Sequence, residues 1–431
     1  MTTGQRIVLV LLALSVAGGV ATGGIIYYRL AVFWFMLYVT SWLWSKLSLH
    51  GVRFHRKART LRAQVGQIFE ERYELENQSR LPRLWIEVVD ESPLPGSDGS
   101  RVSTMIEGQN ARTYIARARL ITRGVFPLGP TTIKSGDVFG IFPISKTIAA
   151  EDSLLVYPMM VEINSFPNPP GLLPGGEALR RRTHQVTPNA AGVREYATGD
   201  PLNRIHWMST ARRGRLMVKE FELDPLADVW IFVDADRYVH ATLPKMDDIS
   251  YHPPDIWQKS VKITLPASTE EYSISIAASL TRYYLRKGRA VGLVAAGQHL
   301  SLLSPDRGGR QLGKCLEALA LLRCEGRIRL RGLVETQVKH MVRGSTVVLI
   351  TPSVDREVAL VVDYLSQRGL RPVAVLLDAK TFGGRSGCEE LAANIRVFGA
   401  PVRVVANGSN LETVLSSEVS NQPWTVKGNT E

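Results

Sequence analysis

The residues best suited to chemistry crowd between Val193 and Glu220. The stretch reads V-R-E-Y-A-T-G-D-P-L-N-R-I-H-W-M-S-T-A-R-R-G-R-L-M-V-K-E and carries Arg194, Glu195, Asp200, Arg204, His206, Arg212, Lys219 and Glu220. Asp200, His206 and Glu220 are the side chains that could exchange protons in general acid–base catalysis. No nucleophile elbow, metal-ligand cluster or phosphate-binding glycine loop goes with them, so hydrolase or transferase chemistry has no support in the sequence. Gly199-Asp200-Pro201 reads as a turn, with Asp200 placed to accept from backbone amides or from Arg204. From Arg180 to Glu220 there are nine Lys/Arg against three acids, with Tyr196 and Trp207 interleaved. That composition admits nucleic-acid binding, but no recognition-helix or single-strand-binding signature accompanies it. Downstream, Asp234 and Asp236 follow the apolar run Val229–Val233, at the strand end where open α/β sheets place ligands.

The elements that must position these groups differ along the 431 residues, a length that suits two or three domains. Ile7 to Ile26 is uncharged for about twenty residues, the length of a membrane-spanning helix. Tyr27, Tyr28 and Arg29 interrupt it, and a second apolar run from Leu30 to Trp44 carries Phe33, Trp34, Phe35, Tyr38, Trp42 and Trp44. Lys46, Arg53, Arg56, Lys57, Arg59 and Arg62 follow with no acid among them. The positive-inside rule keeps that flank in the cytoplasm, so two spans place both termini and all soluble parts there. The competing reading is a cleaved signal peptide starting at Arg6, which explains neither the second run nor the cations.

Helical periodicity then disappears. Gln67–Glu76 and Arg83–Asp90 read as strands, and Thr113–Ile121 alternates, with Tyr114, Ala116, Ala118 and Leu120 opposite Arg117 and Arg119. Short strands between turn signals predict a β-sandwich-like domain over residues 51–165. A Pro/Gly run from Phe166 to Gly176 opens a linker that ends with the charged motif, residues 166–225. Ile205, Trp207 and Ala211 are expected to face a core. Leu216 to Phe221 reads as a strand with Leu216, Val218 and Glu220 on one face. The motif is thus expected to act as a clasp, laying a turn and an edge strand against the next domain.

Over residues 226–406 strands and helices alternate. Strands read at Val229–Val233, Ala290–Ala296, Thr346–Thr351, Pro372–Leu377 and Val402–Val405. Helices read at Glu271–Lys287, Arg310–Arg323, Leu333–Val342, Asp355–Arg368 and Cys388–Phe398. Together they predict an α/β doubly wound parallel sheet. The long connection Val239–Ser268 is expected to cover the sheet end at Asp234. Residues 407–431 read as a polar, mobile tail. Cys315, Cys324 and Cys388 form no paired motif, which fits a reducing compartment. The net charge of +12 suits an anionic membrane face or a nucleic acid.

One pattern is more specific than charge. Arg194, Glu195, Tyr196, Gly199, Asp200, Arg204, Ile205, Trp207, Ala211, Arg212, Leu216, Val218, Lys219 and Glu220 closely resemble the signature of the domain of unknown function 58 family. R-G-V-F-P-L-G-P and S-G-D-V-F-G, within Arg123 to Gly140, are similar to that family's β region. His206 stands where the family commonly has an acid. The resemblance implies an N-terminal transmembrane hairpin, a β-rich region and a von Willebrand factor type A-like domain. It also implies association with MoxR-type AAA+ ATPases in assembly, maturation or cell-envelope processes. Type A-like domains often hold a divalent cation through D-x-S-x-S. Here Asp234-x-Asp236-x-Tyr238 keeps the first acid and replaces both serines, and the resemblance implies that Asp234 and the added Asp236 could still hold a hard cation such as magnesium or manganese. The expectation is therefore a non-enzymatic, membrane-anchored cytosolic scaffold that binds proteins, with no nucleic acid, cofactor or small-molecule substrate. The alternatives are a divalent-metal-dependent adhesion-like receptor and a nucleic-acid binder.

Overall fold

Thr2 starts the first helix through a capping box, its hydroxyl accepting from the Gln5 amide while the Gln5 side chain accepts from Thr2. Helix α1, Thr3–Thr22, ends at Gly23, whose φ of 61° is a left-handed conformation suited to glycine. Helix α2, Ile25–Ser48, follows at once, so Tyr27, Tyr28 and Arg29 belong to the second helix and do not separate two runs. A Cβ on Gly18 would lie 2.8 Å from the Tyr27 ring, so glycine is what lets the helices close. The burial pattern inverts that of a helix in water. Ser41, Ser45 and Ser48 are the buried positions of α2, while Val32, Phe33, Phe35 and Leu43 are exposed. Small residues inside and apolar ones outside are what a lipid-facing pair requires. Both helices are long and apolar enough to cross a bilayer, at 20 and 24 residues.

The computed structural model describes residues 1–95, 101–167, 190–197, 205–221, 228–244 and 264–416. The chain divides into two units, one built chiefly on Met1–Met159 and the other on Met160–Leu243, Ala267–Cys315 and Leu322 onward. The division falls before the Pro/Gly run, because Val161–Pro167 pack on a helix of the second unit. The Val161 amide donates to Ser279 at 3.0 Å, and Tyr284 donates to the Pro167 carbonyl at 2.9 Å.

The first unit continues as strands β1 Val52–Ala58, β2 Arg62–Gln64, β3 Ile68–Asn77, β4 Arg83–Asp90, β5 Arg101–Ile106, β6 Asn110–Arg119, β7 Gly124–Pro127, β8 Thr131–Ser135, β9 Ile144–Ile148 and β10 Ser153–Tyr157. They form sheets β1-β3-β6, β5-β4-β8-β9 and β2-β10-β7. Leu75, Ile86, Val88, Ile106 and Ile133 join the first two sheets in a sandwich core, and Phe69, Leu120, Leu154 and Val156 form a second core. Inside the sandwich Arg56 reaches both Glu71, at 2.5 Å, and Asp90, at 3.1 Å. The Tyr73 hydroxyl sits 3.0 Å from Glu71 and 2.9 Å from Asp90. Arg56 therefore leaves the set of membrane-flanking cations, and Lys57 pairs with Glu74. Arg119, expected on the solvent face, is buried, because at the end of β6 both faces are covered and Ala118 is buried too.

The second unit contains β11 Ala190–Glu195, α3 Trp207–Arg213, β12 Met217–Phe221, β13 Val229–Val233, α4 Thr269–Arg286, β14 Val291–Ala296, β15 Leu300–Asp306, α5 Gly308–Leu321, α6 Leu330–Gln337, β16 Thr346–Thr351, α7 Glu357–Gln367, β17 Arg371–Leu377, α8 Cys388–Val397, β18 Val402–Val405 and α9 Leu411–Ser416. The main sheet runs β15-β14-β13-β16-β17-β18. All its pairs are parallel except β14 with β15. Every residue of β13, β14 and β16 is buried, as strands covered on both faces should be. The order reverses between β13 and β16, where open α/β sheets bind ligands beyond the carboxyl ends. The sequence did not show β15, an exposed antiparallel edge strand with Ser301, Ser304 and Asp306 among its apolar residues. The expected tail from 407 instead begins with α9, which buries Leu411 and Leu415. Residues 417–431 lie outside the described residues.

Candidate functional site

The carboxyl ends of β13 and β16 bring Asp234 and Thr351 together. Asp234 is 2% exposed, and its Oδ2 accepts from the Thr351 hydroxyl at 2.6 Å. Its Oδ1 accepts from the Asp236 amide at 3.2 Å. The next carboxylate is held the same way, Asp236 Oδ1 accepting from the Tyr238 amide at 3.2 Å. Across the switch point, the Ser353 amide donates to Thr351 Oγ1 at 2.9 Å and the Asp355 amide to Ser353 Oγ at 3.2 Å. Burial pushes the Asp234 carboxyl up to about 6, against the Thr351 and Asp236 hydrogen bonds that draw it down. Neighbouring Asp236 and Asp355 add to the rise.

His240 fixes the backbone of the same corner. Its Nε2 donates to the Asp234 carbonyl oxygen at 2.9 Å, and its Nδ1 lies 3.0 Å from the Thr269 hydroxyl, which also reaches the Ala241 carbonyl at 3.1 Å. Burial holds its pKa below the usual histidine value, consistent with this neutral ring. Sequence reading passed over His240, a lone histidine with no motif around it. Thr242 and Ser268 pinch the long connection at its base, their hydroxyls 2.9 Å apart and their backbones bridged. Residues 245–263, expected to cover this face, lie outside the described residues. Gly326 closes the other side, its amide donating to the Ala235 carbonyl at 2.9 Å. A Cβ there would stand 1.9 Å from the Ala296 carbonyl oxygen.

A cleft of about 240 Å³ opens here, with Asp236, Asp355 and Glu357 facing Arg329, Arg331 and Arg385. The ligand set of a D-x-S-x-S cation site is not reproduced. Both Asp234 oxygens are engaged by the chain itself, and the Tyr238 hydroxyl turns to Arg237. Among the described residues no three His, Cys, Asp or Glu side chains converge as ligands. Positions 236 and 238 therefore do not supply the two serine hydroxyls of that set. The cysteines are free and buried, and burial pushes Cys315 up to about 12 and Cys388 up to about 11.

The charged motif builds a small sheet of its own. β11 pairs antiparallel with β12, setting Arg194 opposite Val218, Val193 opposite Lys219 and Gly192 opposite Glu220. This corrects the expected edge strand on the next domain, since β12 has a partner from within the motif. The expected alternation also fails, because Met217 and Val218 are both buried and Leu216 is exposed. Ile205 is buried and bridges Val218, but Trp207 is 68% exposed, and Ala211 and Arg212 are exposed too. The reason is α3. Its seven residues leave no buried face, so Trp207 and Ala211 point outward although Ile205 just before them is held.

His206 caps α3, its Nδ1 accepting from the Ser209 amide at 3.1 Å. It thus does the work an acid would do at a helix start. Glu195 pairs with Arg215 at 3.0 Å on the surface, and the Tyr196 amide donates to Leu216. Gly199, Asp200, Arg204 and Arg180–Arg182 lie outside the described residues.

Residues 192–241 match the family described as "Protein of unknown function DUF58". Over 209 residues, 48% of this chain, the sequence is 24% identical to "Uncharacterized protein YeaD" of Bacillus subtilis (strain 168). The match spans 44% of that relative, less than half its length. Both matches support the resemblance carried by the motif. Among solved structures, the CARDB domain of a Pyrococcus furiosus protein in complex with di-metal ions aligns with 24% of this chain and 91% of its own. It shares 6% identity at a TM-score of 0.18. The sporulation control protein Spo0M of Bacillus subtilis aligns with 25% of this chain and 49% of its own, at 10% identity and a TM-score of 0.16. Scores this low carry no argument about fold or activity.

Proposed function

We propose that this chain is a membrane-anchored protein-interaction scaffold whose partner contacts the carboxyl end of the main sheet. The observation that carries the reading is the mixed-charge cleft at the β13/β16 switch point, lined by Asp236, Asp355, Arg329, Arg331 and Arg385. Opposed charges beside a self-satisfied carboxylate suit recognition of a charged protein surface. The strand order is that of a doubly wound sheet, in keeping with a von Willebrand factor type A-like fold. The resemblance of the motif points to a MoxR-type AAA+ ATPase as partner and to assembly, maturation or cell-envelope work. The anchor is the α1–α2 pair, with the soluble units on the cytoplasmic side.

The test is photocrosslinking in native membranes from a probe at Tyr238 or Arg385. Recovery of an AAA+ ATPase, abolished by Arg329→Glu together with Asp355→Lys, supports the reading. Efficient crosslinking that yields lipid or this chain alone overturns it.

A further inference from the structure

The first unit displays apolar side chains beside the ends of its two apolar helices. Between β8 and β9 the chain turns through Asp137–Phe142. Val138 is 65% exposed and Phe139 67% exposed. The loop is built to show them. The buried Asp137 carboxylate accepts from the Phe139 amide at 3.0 Å and from the Phe142 amide at 2.6 Å, so its charge is turned inward. Gly140, at φ 68°, takes the chain back through a left-handed turn.

The loop is also fastened to the helices. The Thr2 hydroxyl donates to the Ile141 carbonyl at 2.7 Å, and the Ser45 hydroxyl to the Phe142 carbonyl at 2.6 Å. The Phe142 ring packs edge-on against Tyr38, with centroids 5.0 Å apart. Tyr38 lies about 10 Å along α2 from Ser45 at 1.5 Å per residue. Ile141 and Phe142 therefore lie alongside the helices, with Phe142 spanning from Ser45 to Tyr38 on α2. A second exposed pair sits at the same place. The register of β4 against β5 shifts between Arg83 and Ile86, and Leu84 and Trp85 are both exposed there. Arg83 donates to the His50 carbonyl at 2.6 Å, just past α2, and Ser135 donates to the Trp85 carbonyl at 2.6 Å. Lys46 lies 4.8 Å over the Trp42 ring near the end of α2, a pairing suited to the headgroup zone.

We propose that Leu84, Trp85, Val138 and Phe139 form a lipid-inserting rim that seats the β unit in the bilayer at the base of the helix pair. The proposal rests on the reading of α1 and α2 as membrane spans. It adds that the β unit does not hang from a tether. The occupant is lipid because the rim is continuous with the lipid-facing surface of the helices. Side chains held at this level lie where amphipathic elements bury their apolar face.

The experiment uses the full chain in nanodiscs of phosphatidylcholine and phosphatidylglycerol. An environment-sensitive dye is placed at Phe139→Cys, at Trp85→Cys or, within α2, at Val32→Cys. The native cysteines are buried and leave the labelling selective. The rim labels are expected to lose most of their emission to a spin label carried near the lipid headgroup and to resist aqueous iodide. Iodide quenching of the rim labels to the level of free dye, with Val32 quenched by lipid, overturns the rim and leaves the spans standing. Iodide quenching at Val32 as well overturns both. Shielding of the rim labels from iodide without lipid quenching assigns the patch to a second copy of the chain and overturns the proposal.

Discussion

Two buried carboxylate sites, one in each unit, are handled in opposite ways. In the sandwich, Glu71 and Asp90 share the Arg56 guanidinium and the Tyr73 hydroxyl, so charge meets charge and the site is closed. At the end of β13, Asp234 accepts from a hydroxyl and an amide, with no cationic partner among the described residues, and its carboxyl is pushed up to about 6. The first arrangement fixes a fold. The second sets a buried carboxylate, held by hydrogen bonds, beside an open cleft. Buried ion pairs add little net stability yet are costly to break, whereas a lone buried acid is costly while it is charged.

The largest test of that contrast is Arg56→Met. Two carboxylates lose their counter-ion, and unfolding of the first unit is expected to ease by about 3–5 kcal/mol. A loss under about 1 kcal/mol in urea titration would remove the distinction. In the other unit the comparable loss should come from shape. Gly326→Ala sets a Cβ 1.9 Å from the Ala296 carbonyl oxygen and 2.8 Å from that of Ala235. An overpacking cost of about 3 kcal/mol is expected in thermal unfolding.

Asp234→Asn should act with the opposite sign. The folded carboxyl titrates above its ordinary value of 3.8, so its favourable share is complete below that pH and is lost as pH rises through about 6. At pH 7 the amide should therefore stabilise the unit by about 1–3 kcal/mol. The fall in melting temperature between about pH 4 and 6 should flatten in the variant. A less stable variant at pH 7 would show that the hydrogen bonds accepted by both Asp234 oxygens outweigh the cost of burying its charge. The smallest effect is expected at His206. His206→Ala should cost about 1 kcal/mol through loss of the α3 cap, and His206→Asp should restore it. Equal losses in both would assign the histidine a role beyond capping.

Legibility followed the kind of signal each element carried. β13 and β16 were readable to the residue, because fully buried strands are continuous apolar runs bounded by polar turns. β15 was not, since an edge strand exposed on alternate residues resembles a loop. In the site, Asp234 and Asp236 could be placed at a strand end from the run that precedes them. The partner of Asp234, Thr351, comes from a strand more than a hundred residues away, and His240 gave no signal. The motif misled in one respect. Trp207 was assigned to a core by hydrophobicity, but α3 is too short to bury it.

The sequence by itself determined what repeats along the chain: two long apolar helices, a run of short alternating strands, then strand–helix alternation. These follow from periodicity and local propensity, which neighbouring residues settle. Only the tertiary structure decided what meets across distance. It pairs β13 with β16 and so sets Thr351 on Asp234, turns Arg56 away from the membrane flank onto Glu71 and Asp90, and lays Phe142 against Tyr38. Such contacts join positions far apart in the chain, and which of many acids or hydroxyls ends up adjacent is fixed by sheet order and packing.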